Sequence, residues 1–167
     1  MRPRPRAANF AAAPLPERVA DKRYDAGMSG AECSSLHEAI LEQLADAAIY
    51  ADTAGTIGLW NAAATALFGY SAAEALGQSL DLIIPEHLQK AHWSGFEAAI
   101  ASGATRLQGR PTLTRAKHRS GRRLYVEMSF ALVKHADGSA RGAVAVARDV
   151  TERVEQQRCA AASKPPS

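Results

Sequence analysis

The chain has 167 residues, 47% of them hydrophobic, with a net charge of +3 and two cysteines. That length supplies one core of ordinary size and excludes two domains of typical length. No apolar run approaches the ~18 residues of a membrane span, and the N-terminal stretch has no continuous hydrophobic block before a cleavage site, so a cytoplasmic protein is expected.

Residues 1–33 hold four of the eight prolines, many alanines, and Arg2, Arg4, Arg6, Arg18, Lys22 and Arg23, with no sustained helical or strand period. They read as a disordered leader whose basic excess belongs to a tail, and nucleic acid is not an expected partner. The folded domain is placed at 34–155 and a disordered tail at 156–167. Cys33 and Cys159 have neither zinc-site spacing nor a disulfide framework. Ser35 reads as an N-cap, after which Leu36, Ile40, Leu41 and Leu44 form one apolar stripe of a short amphipathic helix. Ala47 to Asp52 and Thr56 to Trp60 read as a hairpin turning at Asp52-Thr53-Ala54-Gly55. Asn61 caps a helix through Phe68 that stops at Gly69, and Ser71-Ala72-Ala73-Glu74 is a capping box closed by Gly77.

Pro85 and Glu86 suit the first turn of a longer helix running to Ser102-Gly103. Leu107 to His118, Arg122 to Lys134 and Ser139 to Val150 read as three strands joined by turns at Arg119-Ser120-Gly121 and Asp137-Gly138. In the second of these, Leu124, Val126, Met128, Phe130 and Leu132 alternate with Tyr125, Glu127, Ser129 and Ala131, so one face meets a core. From Thr151 the chain starts as a helix and decays. The order of elements predicts an α+β architecture, a five-stranded antiparallel sheet with helices on one face.

The blocks Asp52-Thr53-Ala54-Gly55, Asn61-Ala62-Ala63-Ala64, Leu67 to Gly77, Ile84-Pro85 and Arg148-Asp149-Val150-Thr151-Glu152-Arg153 resemble those of the PAS (sensory box) family, in the family's order, over roughly residues 36–155. The resemblance implies a cupped sheet with a cavity between it and the longer helix, which holds a ligand in some members and none in others. Pro85 to His92 is further similar to the helix of the haem-binding PAS oxygen sensors of bacteria, whose pattern P-x-x-x-x-x-x-H places the proximal haem ligand at His92. Counted on without a gap, that resemblance puts Arg106 beside a haem propionate and Leu107, Met128 and Phe130 on a distal apolar triad. Arg110 falls where one related haem sensor has a distal methionine. Thr112 stands where those sensors use an arginine to contact bound oxygen; Arg110, read two residues earlier on the same strand face, is a candidate replacement.

The helical pattern gives an independent reason to single out His92. Leu88, Gly95, Phe96 and Ala99 lie at i−4, i+3, i+4 and i+7, so the imidazole is centred on the apolar stripe, while His87 projects from nearly the opposite side. A neutral histidine there needs a partner for its polar nitrogens, either a metal or a hydrogen bond within the core. Haem b is the expected cofactor, with His92 as iron ligand, a diatomic gas (oxygen, carbon monoxide or nitric oxide) or a redox change as input, and Met128 as either a sixth ligand or a flexible core filler. Arg110 reads either as a donor to bound gas or as an exposed strand-start residue, and Arg106 and Arg115 as propionate partners. Trp93, about 100° around the helix, reads as packing at the helix edge. The alternatives are a flavin, held without the reactive cysteine that the light-sensing version of the fold needs near residues 62–80, and a ligand-free interaction module. No nucleophile elbow, GxxxxGK loop or HExxH helix is present, so no enzyme is expected. Too little follows Val150 for an output domain, so a homodimer and a separate signalling protein are the expected partners.

Overall fold

A computed structural model describes residues 30–107 and 109–162. The chain divides into two compact units, Met1–Ser35 and Leu36–Ser167, and the second carries the sheet and the candidate site. Most of the expected leader, and residues 163–167 of the expected tail, lie outside the described residues. The elements are α1 (Gly30–Gln43), β1 (Ala47–Asp52), β2 (Ile57–Trp60), α2 (Ala62–Phe68), α3 (Ala72–Ala75), a 3₁₀ turn (Leu80–Leu82), α4 (Glu86–Ser102), β3 (Thr112–Lys117), β4 (Arg123–Lys134), β5 (Ala140–Asp149) and α5 (Thr151–Ala162). The strands form one antiparallel sheet in the order β2-β1-β5-β4-β3, the α+β architecture that the order of elements predicts.

Local chemistry explains most of the boundaries. Asp52 Oδ1 accepts from the N–H groups of Ala54 and Thr56, both at 2.9 Å, closing the β1–β2 turn in which Gly55 has φ +81°. Asn61 caps α2 and does more: its Oδ1 accepts from Ala64 N and Ala48 N, and its Nδ2 donates to the carbonyls of Leu41 and Asp46. All of its hydrogen-bonding capacity is used, which is what allows a polar side chain only 2% exposed to join α1, β1 and α2. Gly69 ends α2 at φ +80° with the His118 ring directly over it, where a Cβ would lie 2.4 Å from Nε2. The capping box of Ser71 and Glu74 is formed, and Arg119 pairs with the same carboxylate at 2.8 Å. Arg148 makes a two-pronged contact with Asp46, each bond 2.8 Å. Asp149 Oδ1 accepts from Thr151 N at 2.8 Å, starting α5.

The core lies between the inner face of the sheet and α2–α3. Ile49, Leu124, Val126, Met128 and Ala147 pack there with Phe68, Ala64 and Trp60, and β4 alternates as its sequence predicts, with Leu124, Val126 and Met128 buried.

Three expectations are corrected. Ser35 lies inside α1 rather than at its cap, and the stripe of that helix is not core: Leu36, Ile40 and Leu44 are all exposed, because α1 is tied down through Leu41 O and Glu42 instead. The strand expected from Leu107 begins only at Thr112. Gly109 has φ +75°, Pro111 has no N–H for a ladder, and Arg110 N donates to Leu107 O at 2.8 Å in a turn. Helix α5 continues to Ala162, through residues read as disordered tail. Gln156 bonds to Glu152, Arg153 to Glu127, and Arg158 both bonds to Tyr125 and lies over its ring.

Candidate functional site

Helix α4 crosses a part of the sheet where the inward side chains are small. Ala143, Ala145 and Ala147 on β5 face inward beside Leu132, Phe130 and Met128 of β4, and Ala51 of β1 stands opposite Ala143. Small residues also mark α4 from its second turn onward: Ala91, Gly95, Ala98 and Ala99. No residue of this helix is fully buried, so its apolar face stands off the sheet instead of packing on it, and space remains between them.

That space forms two cavities, of about 200 Å³ and about 500 Å³, the second within the ~300–1,000 Å³ usual for small-molecule sites. His92 and Phe96 of α4, with Phe130 and Ala143 of the sheet, line both. Neither lining contains Asp, Glu, Lys, Asn, Gln or Cys; each has a single arginine, Arg115 in the first and Arg106 in the second. Two apolar chambers meeting at an imidazole suit a ligand with a large apolar body and an electron-pair acceptor at its centre.

The imidazole is held in a defined setting. Its ring stacks on Phe96 with centroids 6.0 Å apart, and the neighbouring Trp93 meets Phe96 edge-on at 5.6 Å. Trp93 lies over Gly55, where a Cβ would be 2.2 Å from its ring, and its Nε1 donates to Asp81 at 2.9 Å. These contacts pin α4 to the β1–β2 turn. Burial pushes the His92 imidazole below its ordinary range, opposed by the Asp81 carboxylate, so the neutral, ligating form is favoured. Its Nε2 is buried and has no hydrogen-bond partner among the described residues. Among the described residues no group of three His, Cys, Asp or Glu side chains could hold a metal ion, so a metal at His92 would need the rest of its coordination from a cofactor such as a macrocycle.

The residues singled out in the sequence separate into three sets. Leu88, His92, Phe96, Thr112, Met128 and Phe130 line the first cavity. Arg106 and Leu107 line the second, on the loop after α4 rather than on a strand. Arg110 lines neither, is exposed, and does not share a strand face with Thr112. Sequence reasoning passed over the alanine floor, Ile83 and Thr114, and took Gly95 only as a position on the stripe and Ile84 only as part of a matched block. The alternation Ala143-Val144-Ala145-Val146 is the signal for the floor, since it places alanines on the side facing Phe130.

A model of the PAS fold matches residues 36–150. An uncharacterized protein of Azorhizobium caulinodans is 30% identical over 133 residues, 79% of this chain and 18% of its own length. The sensor protein FixL of Bradyrhizobium diazoefficiens is 29% identical over 118 residues, 71% of this chain and 23% of its own length. The chain thus spans about a fifth of the curated relatives it matches. Among solved structures, the PAS domain of a Colwellia psychrerythraea protein superposes with a TM-score of 0.64 at 23% identity, covering 72% of this chain and 99% of that one. An RNA-binding Light-Oxygen-Voltage receptor does so with a TM-score of 0.67 at 24% identity, covering 91% and 42%. With the strand order, the stand-off helix and the matched blocks in agreement, the chain belongs to the PAS family of sensory signal-transduction domains and resembles its oxygen sensors.

Proposed function

We propose that this domain binds haem b through His92 and senses a diatomic gas or a redox change. The observation that carries the reading is the buried Nε2 of His92, which has no partner and sits on the wall shared by two apolar cavities. Leaving such an atom unpaired costs about 1–3 kcal/mol, and an iron atom would satisfy it. The similarity to a rhizobial sensor protein and the sequence pattern from Pro85 to His92 support the same reading. Arg106, on the lining of the second cavity, would face the carboxylates of the macrocycle.

When bound, the iron would supply reversible gas binding or a one-electron change. The contribution of the chain is to hold it by one imidazole, keep water from its faces, and set what an incoming ligand meets. Thr112, Thr114 and Met128 line the first cavity, so hydroxyl and thioether groups replace the arginine of the oxygen sensors that the sequence resembles. Arg110, exposed in its turn, lines neither cavity and is no substitute. The response would pass to the sheet and from there to a second copy or a separate signalling protein. A flavin has less support, because its ring edge needs paired donors and acceptors and neither lining has an amide side chain or a thiol.

The test is an absorption spectrum of protein expressed with iron and a haem precursor, taken oxidised, reduced and under carbon monoxide. A stoichiometric Soret band that moves with carbon monoxide, and is lost in His92→Ala, is expected. A flavin spectrum, or a colourless protein that takes up no added haemin, would overturn the reading.

A further inference from the structure

Six of the nine residues from Arg115 to Arg123 are Arg, Lys or His. On the antiparallel ladder Lys117 is the cross-strand partner of Arg123, and Arg115 is the partner of Tyr125. Arg115, Lys117, Arg123 and the exposed Leu113 therefore share the outer face of the sheet at one corner, while Thr112, Thr114 and Ala116 face inward. Opposed residues on such a ladder have Cβ atoms about 4.5–5.5 Å apart, and like charges placed so destabilise it.

Nothing among the described residues neutralises this corner. The Arg119 guanidinium is taken by Glu74, and the nearest acid on the face, Glu127, is taken by Arg153. Among the described residues Arg115, Lys117, Arg122 and Arg123 have no carboxylate partner. Protection of an exposed sheet edge explains one charge on β3, the edge strand, since a lysine or arginine there discourages pairing with other chains. It does not explain Arg123, which lies on β4, inside that edge.

We propose that this corner docks an extended acidic segment of a partner protein, with carboxylates at alternate positions and an apolar residue next to them. Alternate residues on a strand are about 6.7 Å apart, so carboxylates two residues apart in an extended partner fit Arg115 and Lys117, and one carboxylate placed between Lys117 and Arg123 relieves both. Leu113, 52% exposed and next along the same face, decides between a protein and a nucleic acid: an aliphatic side chain offers nothing to a phosphate backbone and a contact to an apolar residue. The proposal stands apart from the cofactor reading: of its residues only Arg115 also lines a cavity, while Leu113, Lys117 and Arg123 line neither.

The experiment uses the full chain at low salt and two probes: a labelled peptide in which Glu alternates with Ser and the acidic run ends in Leu, and uridine-rich single-stranded RNA of equal charge. The peptide should bind the more tightly, with an affinity that falls on adding salt. Lys117→Glu with Arg123→Glu should weaken it about tenfold or more, and Leu113→Ser should weaken the peptide but not the RNA. Removing Arg2, Arg4 and Arg6 should leave the affinity within about twofold, since the leader is not the docking surface. Lys117→Glu alone, by facing Arg123, should raise the thermal midpoint while lowering peptide affinity. Tighter binding of RNA, peptide affinity indifferent to the double charge reversal, or a lowered midpoint in Lys117→Glu overturns the proposal.

Discussion

Replacing His92 by leucine in the haem-free protein should make it more stable. In the absence of a ligand, Nε2 is buried without a partner, a penalty of about 1–3 kcal/mol that a side chain with no polar atom does not incur. Leucine is branched and apolar, and it would contact Phe96 and the alanine floor on the same lining. The expected gain is therefore about 1–3 kcal/mol, read as a higher urea midpoint at an unchanged slope. Acid should widen the difference. Burial holds the His92 imidazole below its ordinary value, so the unfolded chain takes up the proton first. The wild-type stability from this group is complete above the unfolded value and is lost as pH falls through the interval down to the folded one. Leucine removes that slope. A variant destabilised by about 1 kcal/mol or more, or one with the pH profile of the wild type, would show that the imidazole is already satisfied within the protein and would refute the reasoning.

Asn61→Ala breaks four hydrogen bonds that join α1, β1 and α2. The lost cap and the unpaired buried groups should cost about 3–5 kcal/mol in chemical denaturation, and a loss below about 1 kcal/mol would mean that water replaces these bonds freely. Gly69→Ala meets both a positive φ and the His118 ring, so it should lose more than about 1 kcal/mol, with part recovered when His118→Ala is added. Gly95→Ala, in mid-helix with nothing within 4 Å of the added Cβ, should instead gain about 1 kcal/mol, measured by thermal unfolding.

The parts of the fold that the sequence discloses are those settled by local chemistry. Asn61 before an alanine-rich run, Gly69 after Phe68, and Ser71 with Glu74 each act within a few residues, and the structure has them where their spacing puts them. His92 is legible for a related reason, because helical periodicity fixes which side chains share its face. What the sequence conceals depends on who is absent. The stripe Leu36, Ile40, Leu44 has the pattern of a buried helix face, yet a pattern cannot say whether another surface covers it, and among the described residues none does. Leu107 to Arg110 reads as strand from its apolar start, but Gly109 and Pro111 turn the backbone away, and Arg110 goes with it. The cavity is a property of volume more than of any motif: it follows from alanines on β5 meeting glycine and alanines on α4, residues that look like filler one at a time.

The most direct test of haem ligation by His92 is chemical rescue in the protein carrying His92→Gly. With its circular dichroism unchanged, the variant should fail to retain haem, and added imidazole, entering the space left by the side chain, should restore haem uptake and the Soret band. Retention of haem without imidazole, or an intact fold that imidazole does not rescue, would contradict the assignment of His92 as the iron ligand.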